Sequence, residues 1–155
     1  MWYQDKGALR VGQVTGIQWN DLAIGTNSTV AGGTDNTATG TNAVVVGGNG
    51  NAVTANTGAI GGGQSNLVSG EWGVIAGGRN NQASGDTSTV GGGRKNISSG
   101  LSSTVSGGSS NQAGGLSSTV GGGLSNSAAG QSAAVAGGDW RGRPSKSHRR
   151  VPGQR

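Results

Sequence analysis

The chain has 155 residues, of which 35 are glycine, none is cysteine or phenylalanine, and only 11% are charged. These numbers exclude a disulfide framework, thiolate catalysis and Cys-based zinc sites, and no apolar run approaches the roughly 18 residues needed to span a bilayer. Val, Ile and Leu total 25 residues, few enough to read as disorder on composition alone; but such disorder carries abundant charge, and here charge is scarce and residue spacing strict. The net charge of +5 is local: from Asp139 to Arg155 six Lys or Arg stand against one acid, while the other 138 residues carry five of each sign.

Residues 1–22 carry no repeat and read as a cap or lead-in. The start, Met1-Trp2-Tyr3-Gln4-Asp5-Lys6, lacks the basic-then-apolar layout of a signal peptide, so export information is expected outside this sequence or by another route. An open stack of strands exposes unpaired edges that need cover; Trp2, Tyr3 and Trp19 are expected to cap the first coil, and Trp140 the far end.

Residues 23–138 form the repeat. Val30, Val45, Ile60, Ile75, Val90, Val105, Val120 and Val135 recur every fifteen residues, and so do Asn36, Asn51, Asn66, Asn81, Asn96, Asn111 and Asn126. Glycine pairs keep the same register from Gly32-Gly33 to Gly137-Gly138, and a further glycine recurs at Gly40, Gly70, Gly85, Gly100, Gly115 and Gly130, with Ala55 as its exception. A helical unit fails, because a Gly in a helix interior costs about 1 kcal/mol relative to Ala, and collagen fails because Gly is not at every third position. The remaining solution is all-β: a parallel β-solenoid of about eight coils, each with two short strands and two tight turns. The glycine pair and the later glycine are the natural sites for positive φ.

Alternation within a strand points the recurring Val or Ile inward, against the small residue eight positions on (Ala38, Val53, Val68, Ala83, Ser98, Ala113, Ala128). The asparagines just before that second strand are expected to form an internal amide ladder. Burying one valine contributes about 1.5–3 kcal/mol, a thin return for ordering a whole coil. The opposite face of the first strand is also semi-apolar: Thr29, Val44, Val46, Val74, Ala76, Thr89, Thr104 and Thr119. A strand apolar on both faces is covered on both, so a homo-oligomer with these residues at its interface is expected.

The recurrent S-T-V-x-G-G-x-x-N-x-A-x-G-x-x unit, seen from Ser88 to Ser102 with Ser98 in the Ala position, and coils such as Ala23-Ile24-Gly25-Thr26-Asn27-Ser28 resemble the head repeats of trimeric autotransporter adhesins of the YadA type. The resemblance covers about residues 20–138. It implies a left-handed parallel β-roll, assembly as a homotrimer, and display outside the cell or on its surface. Similar repeats occur in phage tail fibres, so a virion fibre is a second setting.

No catalytic constellation is visible. The single histidine, His148, lies in the basic tail at 139–155, and a serine nucleophile needs a base within reach; the chain reads as a non-enzyme. No cofactor or metal is expected: the segment Gly47–Val53 imitates a calcium nonapeptide, but asparagine stands where a ligating carboxylate would. Glu71 and Asp86 share one phase on adjacent coils, Arg79 and Arg94 another with Lys95 beside it; the acids are expected to meet bases of a neighbouring protomer, or simply water. Trp72 replaces a small polar residue and, with Arg79, Arg94 and Lys95, is a candidate surface contact. The tail lacks aromatic interleaving, which argues against nucleic acid.

Three functions are therefore in view. The first is the adhesive head of a surface fibre, binding matrix, glycan, host or abiotic surfaces through repeated faces whose weak contacts sum. The second is a self-assembling fibre element. The third is ice binding, for which the Thr29, Thr89, Thr104 and Thr119 ladder is interrupted by Val44, Ala59, Val74 and Ala134.

Overall fold

The computed structural model describes residues 1–139. It is an all-β parallel solenoid with no α-helix among those residues. After β1 (Trp2–Tyr3) and β2 (Ala8–Arg10), every strand is two residues long and alternates between two sheets. The first sheet takes β3 (Thr29–Val30), β5 (Val44–Val45), β7 (Ala59–Ile60), β9 (Val74–Ile75), β11 (Thr89–Val90), β13 (Thr104–Val105), β15 (Thr119–Val120) and β17 (Ala134–Val135). The second takes β4 (Thr37–Ala38), β6 (Ala52–Val53), β8 (Leu67–Val68), β10 (Gln82–Ala83), β12 (Ile97–Ser98), β14 (Gln112–Ala113) and β16 (Ser127–Ala128). The second sheet has seven strands, so about seven coils are complete and the expected eighth contributes only its first strand. At about 4.8 Å per coil, seven coils make a rod roughly 34 Å long.

Parallel pairing is in strict fifteen-residue register, Val90 opposite Ile75 and Val105, Ala83 opposite Val68 and Ser98. Isolated bridges along the corner between the sheets, from Thr34 through Arg79 and Arg94 to Asp139, extend that register one residue past the expected end at 138. Trp140 and the rest of the basic tail lie outside the described residues.

From β3 to β16 each strand shows one buried and one outward residue, and Val30, Val45, Ile60, Ile75, Val90, Val105 and Val120 are all fully or almost fully buried. Val135, in the last strand, is half-buried. The residues facing them show a size rule. Where the second strand points Val53 or Val68 inward, the residue five positions on is Gly58 or Gly73. Where it points Ala83, Ser98 or Ala113 inward, that residue is Ser88, Ser103 or Ser118. A methyl placed on Gly73 would lie 2.8 Å from the Val68 side chain, too close for two carbons, so an inward valine on the second strand is paired with glycine.

The glycines are used differently from the sequence expectation. The second of each pair has positive φ, as at Gly33 (84°) and Gly93 (84°). The later glycine does not: at Gly40 or Gly100 a Cβ would collide with backbone carbonyls of the next coil. The left-handed corners fall instead on side-chain-bearing residues, at Asn42, Thr57, Trp72, Thr87 and Ser102 and at Asp35, Ser65, Asn80, Lys95 and Ser110. A left-handed residue bears a local cost of roughly 1–2 kcal/mol, whereas a Cβ at Gly40 meets the backbone of the neighbouring coil, a contact that is accommodated at this phase at Ala55. Glycine goes to the stricter position.

The N-terminal segment extends the first sheet and caps it. β2 pairs parallel with β3 and β1 pairs antiparallel with β2, covering the sheet's first edge. The register there is twenty residues, Leu9 opposite Thr29, which hides it from a fifteen-residue search. Arg10 occupies the phase of Val30 and is fully buried. Its guanidinium crosses the end of the core, donating to the Ser28 and Ala38 carbonyl oxygens at 3.0 and 2.8 Å and to Ser28 Oγ at 2.7 Å. Burial lowers its pKa from the ordinary value, a pull partly opposed by Tyr3. Tyr3 donates its hydroxyl to the Trp19 carbonyl at 3.1 Å, tying these two aromatics into the cap, while Trp2 stays exposed.

The size rule makes a direct prediction. Gly73→Ala is expected to cost about 1–3 kcal/mol in urea unfolding, and Val68→Ala about 2 kcal/mol. Their double variant, which installs the Ala–Ala pairing found at Ala38 with Ala43 and at Ala128 with Ala133, should lose at least about 1 kcal/mol less than the sum; strict additivity contradicts the rule.

Candidate binding surfaces

With a core one aliphatic residue wide, all chemistry available to a partner lies on the two outer sheet faces and the two corners. The ladder asparagines are not part of that chemistry. Asn96 donates from Nδ2 to the carbonyl oxygens of Gly92 (2.7 Å) and Gly108 (3.0 Å). Its backbone N–H donates to Asn81 Oδ1 at 2.9 Å, and its own Oδ1 accepts from the N–H of Asn111 at 3.0 Å. The same pattern runs from Asn36 through Asn51, Asn66 and Asn81 to Asn111 and Asn126. Asn51 in the calcium-like segment is committed to this ladder, donating to Gly47 and Gly63. Among the described residues no group of three or more His, Cys, Asp or Glu is placed to hold a metal ion.

The outer face of the first sheet carries the residues expected at an oligomer interface. Thr29, Val44, Thr89 and Thr104 are half-buried; Val46, Val74, Ala76 and Thr119 are exposed, Val46 at 54% and Val74 at 40%. Their apolar part is concentrated in the coils from Val44 to Ala76, and towards Thr104 and Thr119 it turns polar. The outer face of the second sheet was not expected to matter, yet holds Leu67 and Ile97, half-buried. Exposed Leu101 and Leu116 stack on adjacent coils at one corner; their fifteen-residue spacing was available in the sequence.

The two charged pairs lie on different corners, and the structure does not bring them together within one chain. Asp86 is already satisfied, accepting the backbone N–H of Glu71 at 3.0 Å, while Glu71 accepts from Asn56 Nδ2 at 3.4 Å. Each acid thus has a hydrogen-bond donor within its own chain, but no cation beside it among the described residues. Arg79, Arg94 and Lys95 are exposed; among the described residues the ion pair is elsewhere, between Lys6 and Asp21.

Trp72 is 61% exposed beside Glu71 and has φ of 60°. A bulky residue in the left-handed region is a rare and strained choice, and Asn42 holds the same phase at φ 58°. Known protein-family models and curated proteins give no match to this chain. Among the described residues no helix is long and apolar enough to cross a membrane.

Trp72→Asn is expected to raise stability by about 0.5–1 kcal/mol in chemical unfolding, because asparagine tolerates left-handed backbone and no packing is lost at an exposed site. A loss of stability would show that the indole packs productively on the rod.

Proposed function

We propose that this chain is a non-catalytic, adhesive head element of a surface fibre, assembled as a homotrimer of left-handed β-rolls. The observation that carries the reading is the outer face of the first sheet. Val46 and Val74 stand exposed beside half-buried Val44, on strands whose inner face buries a single aliphatic residue. Parallel strands flanked by apolar residues on both sides are covered on both sides in folded proteins, and sister chains offer an identical, in-register surface to do so. The other face and the corners then remain outward in repeated copies, so that weak contacts to matrix, glycan, host or abiotic surfaces add.

The N-terminal cap weighs against the fibre-element alternative. β1 and buried Arg10 cover the start of the first sheet, so end-to-end stacking there would have to pair on antiparallel β1 instead of continuing the parallel stack. An ice-binding face is weighed down by the breaks in the threonine row at Val44, Ala59, Val74 and Ala134.

Native mass measurement and sedimentation should give a species three times the 15.0 kDa chain mass, and Val46→Ser with Val74→Ser should shift it towards monomer. A well-folded wild-type monomer in dilute solution would overturn the assembly. Adsorption of the intact protein to collagen, fibronectin or glycan-coated surfaces tests adhesion, and failure on every surface would overturn that part.

A further inference from the structure

Six charged residues lie within 23–138, and five of them fall between 71 and 95. Three are cations on one corner. Arg79 and Arg94 pair directly across adjacent coils, and the Lys95 backbone N–H donates to the Arg79 carbonyl at 3.0 Å. The three side chains thus rise from one rigid stretch of backbone about one coil high, and all are exposed.

Among the described residues nothing nearby neutralises them. Glu71 and Asp86 sit on the opposite corner with their own hydrogen bonds. Asp35 shares this corner, but four coils below Lys95, roughly 19 Å away at about 4.8 Å per coil, and it accepts from the Thr15 amide and hydroxyl. Asp139 is three coils beyond Arg94, roughly 14 Å, past the screening distance of about 10 Å in 0.1 M salt. Like charges about 5 Å apart repel by roughly 1 kcal/mol even in water. The same phases hold Thr34, Asn49, Gln64 and Ser109 in other coils, so the fold has no need of arginine there.

We propose that this corner is a binding strip for a sulfated polysaccharide, which names the ligand class of the adhesive face and rests on that reading. Two guanidiniums one coil apart present planar donor forks to a tetrahedral oxyanion, and Lys95 adds a point charge. Along the same corner the exposed amides of Asn49, Gln64 and Asn80 offer donors and acceptors to sugar hydroxyls. No aromatic side chain occupies these phases among the described residues, so the stacking platform that single-stranded nucleic acid uses is missing.

The test uses the full chain on immobilised heparin, on chemically desulfated heparin and on duplex DNA, in about 0.15 M salt. The variant Arg79→Ser, Arg94→Ser, Lys95→Ser installs the residue type already present at Ser109 and Ser110. A charge-matched control, Arg141→Ser, Arg143→Ser, Lys146→Ser, removes the same three charges outside the repeat. The strip variant should bind heparin at least about tenfold more weakly, the control less than about twofold, with desulfated heparin and DNA bound more weakly than heparin by wild type. Equal loss in the two variants, no loss in the strip variant, or DNA or desulfated heparin bound as tightly as heparin overturns the proposal. Native mass and thermal midpoint are read on every variant. A wild-type trimer that adsorbs to protein surfaces but ignores heparin overturns this inference alone, leaving the adhesive reading standing. If the serine variant fails to fold, Arg79→Gln with Arg94→Gln repeats the comparison.

Discussion

The asparagine ladder is the interaction on which the rest of the rod depends. At each turn the chain reverses within a few residues, and a tight reversal leaves carbonyl and amide groups pointing away from both sheets. One amide side chain per coil answers several of them at once: it donates to a glycine carbonyl of its own coil and to one in the next, and accepts the next asparagine's backbone N–H. Because Asn81 and its equivalents are buried, any of these groups left unpaired would cost about 1–3 kcal/mol. The ladder also fixes register. A slip of one residue would lose every amide contact simultaneously, which is why the period holds at fifteen through all the repeats.

Given that ladder, the other residues follow from spacing. Coils stacked about 4.8 Å apart leave no room for a Cβ at Gly40, Gly85 or Gly100, so glycine stands there although the backbone conformation does not demand it. The lumen has no room for a side chain beside an inward valine of the second strand, which is why Val68 is matched by Gly73, whereas Ala113 is matched by Ser118. A stack of this kind must also end. Arg10 does so by laying a long side chain beside the first valine of the ladder, Val30, and turning a donor onto the Ala38 carbonyl of the opposite sheet. Arginine can do this because its stem is apolar and its fork carries several donors.

Much of this architecture was legible in the sequence, because a period needs no knowledge of contacts. The inward phase of Val90 and the separate phase of Asn96 follow from recurrence and strand alternation alone. What escaped was whatever broke the period or depended on distance between coils. The twenty-residue register of the first coil concealed β2 and Arg10. The left-handed corners at Thr57, Trp72 and Lys95 were missed because glycine was expected wherever φ is positive, whereas glycine was needed more urgently for clearance. On the surface, Trp72 and the Arg79–Lys95 cluster stood out as departures from the repeat; that Asp86 is satisfied by the backbone of Glu71 could be seen only in three dimensions.

The most direct measurement of the central claim is equilibrium unfolding of Asn81→Ala, an interior member of the ladder, beside Asn126→Ala at its end. The account predicts a loss of at least about 2 kcal/mol for Asn81→Ala, since the Asn96 amide and the Gly77 and Gly93 carbonyls lose their side-chain partner, and a clearly smaller loss for Asn126→Ala. An Asn81→Ala protein as stable as wild type, to within about 0.5 kcal/mol, would contradict it.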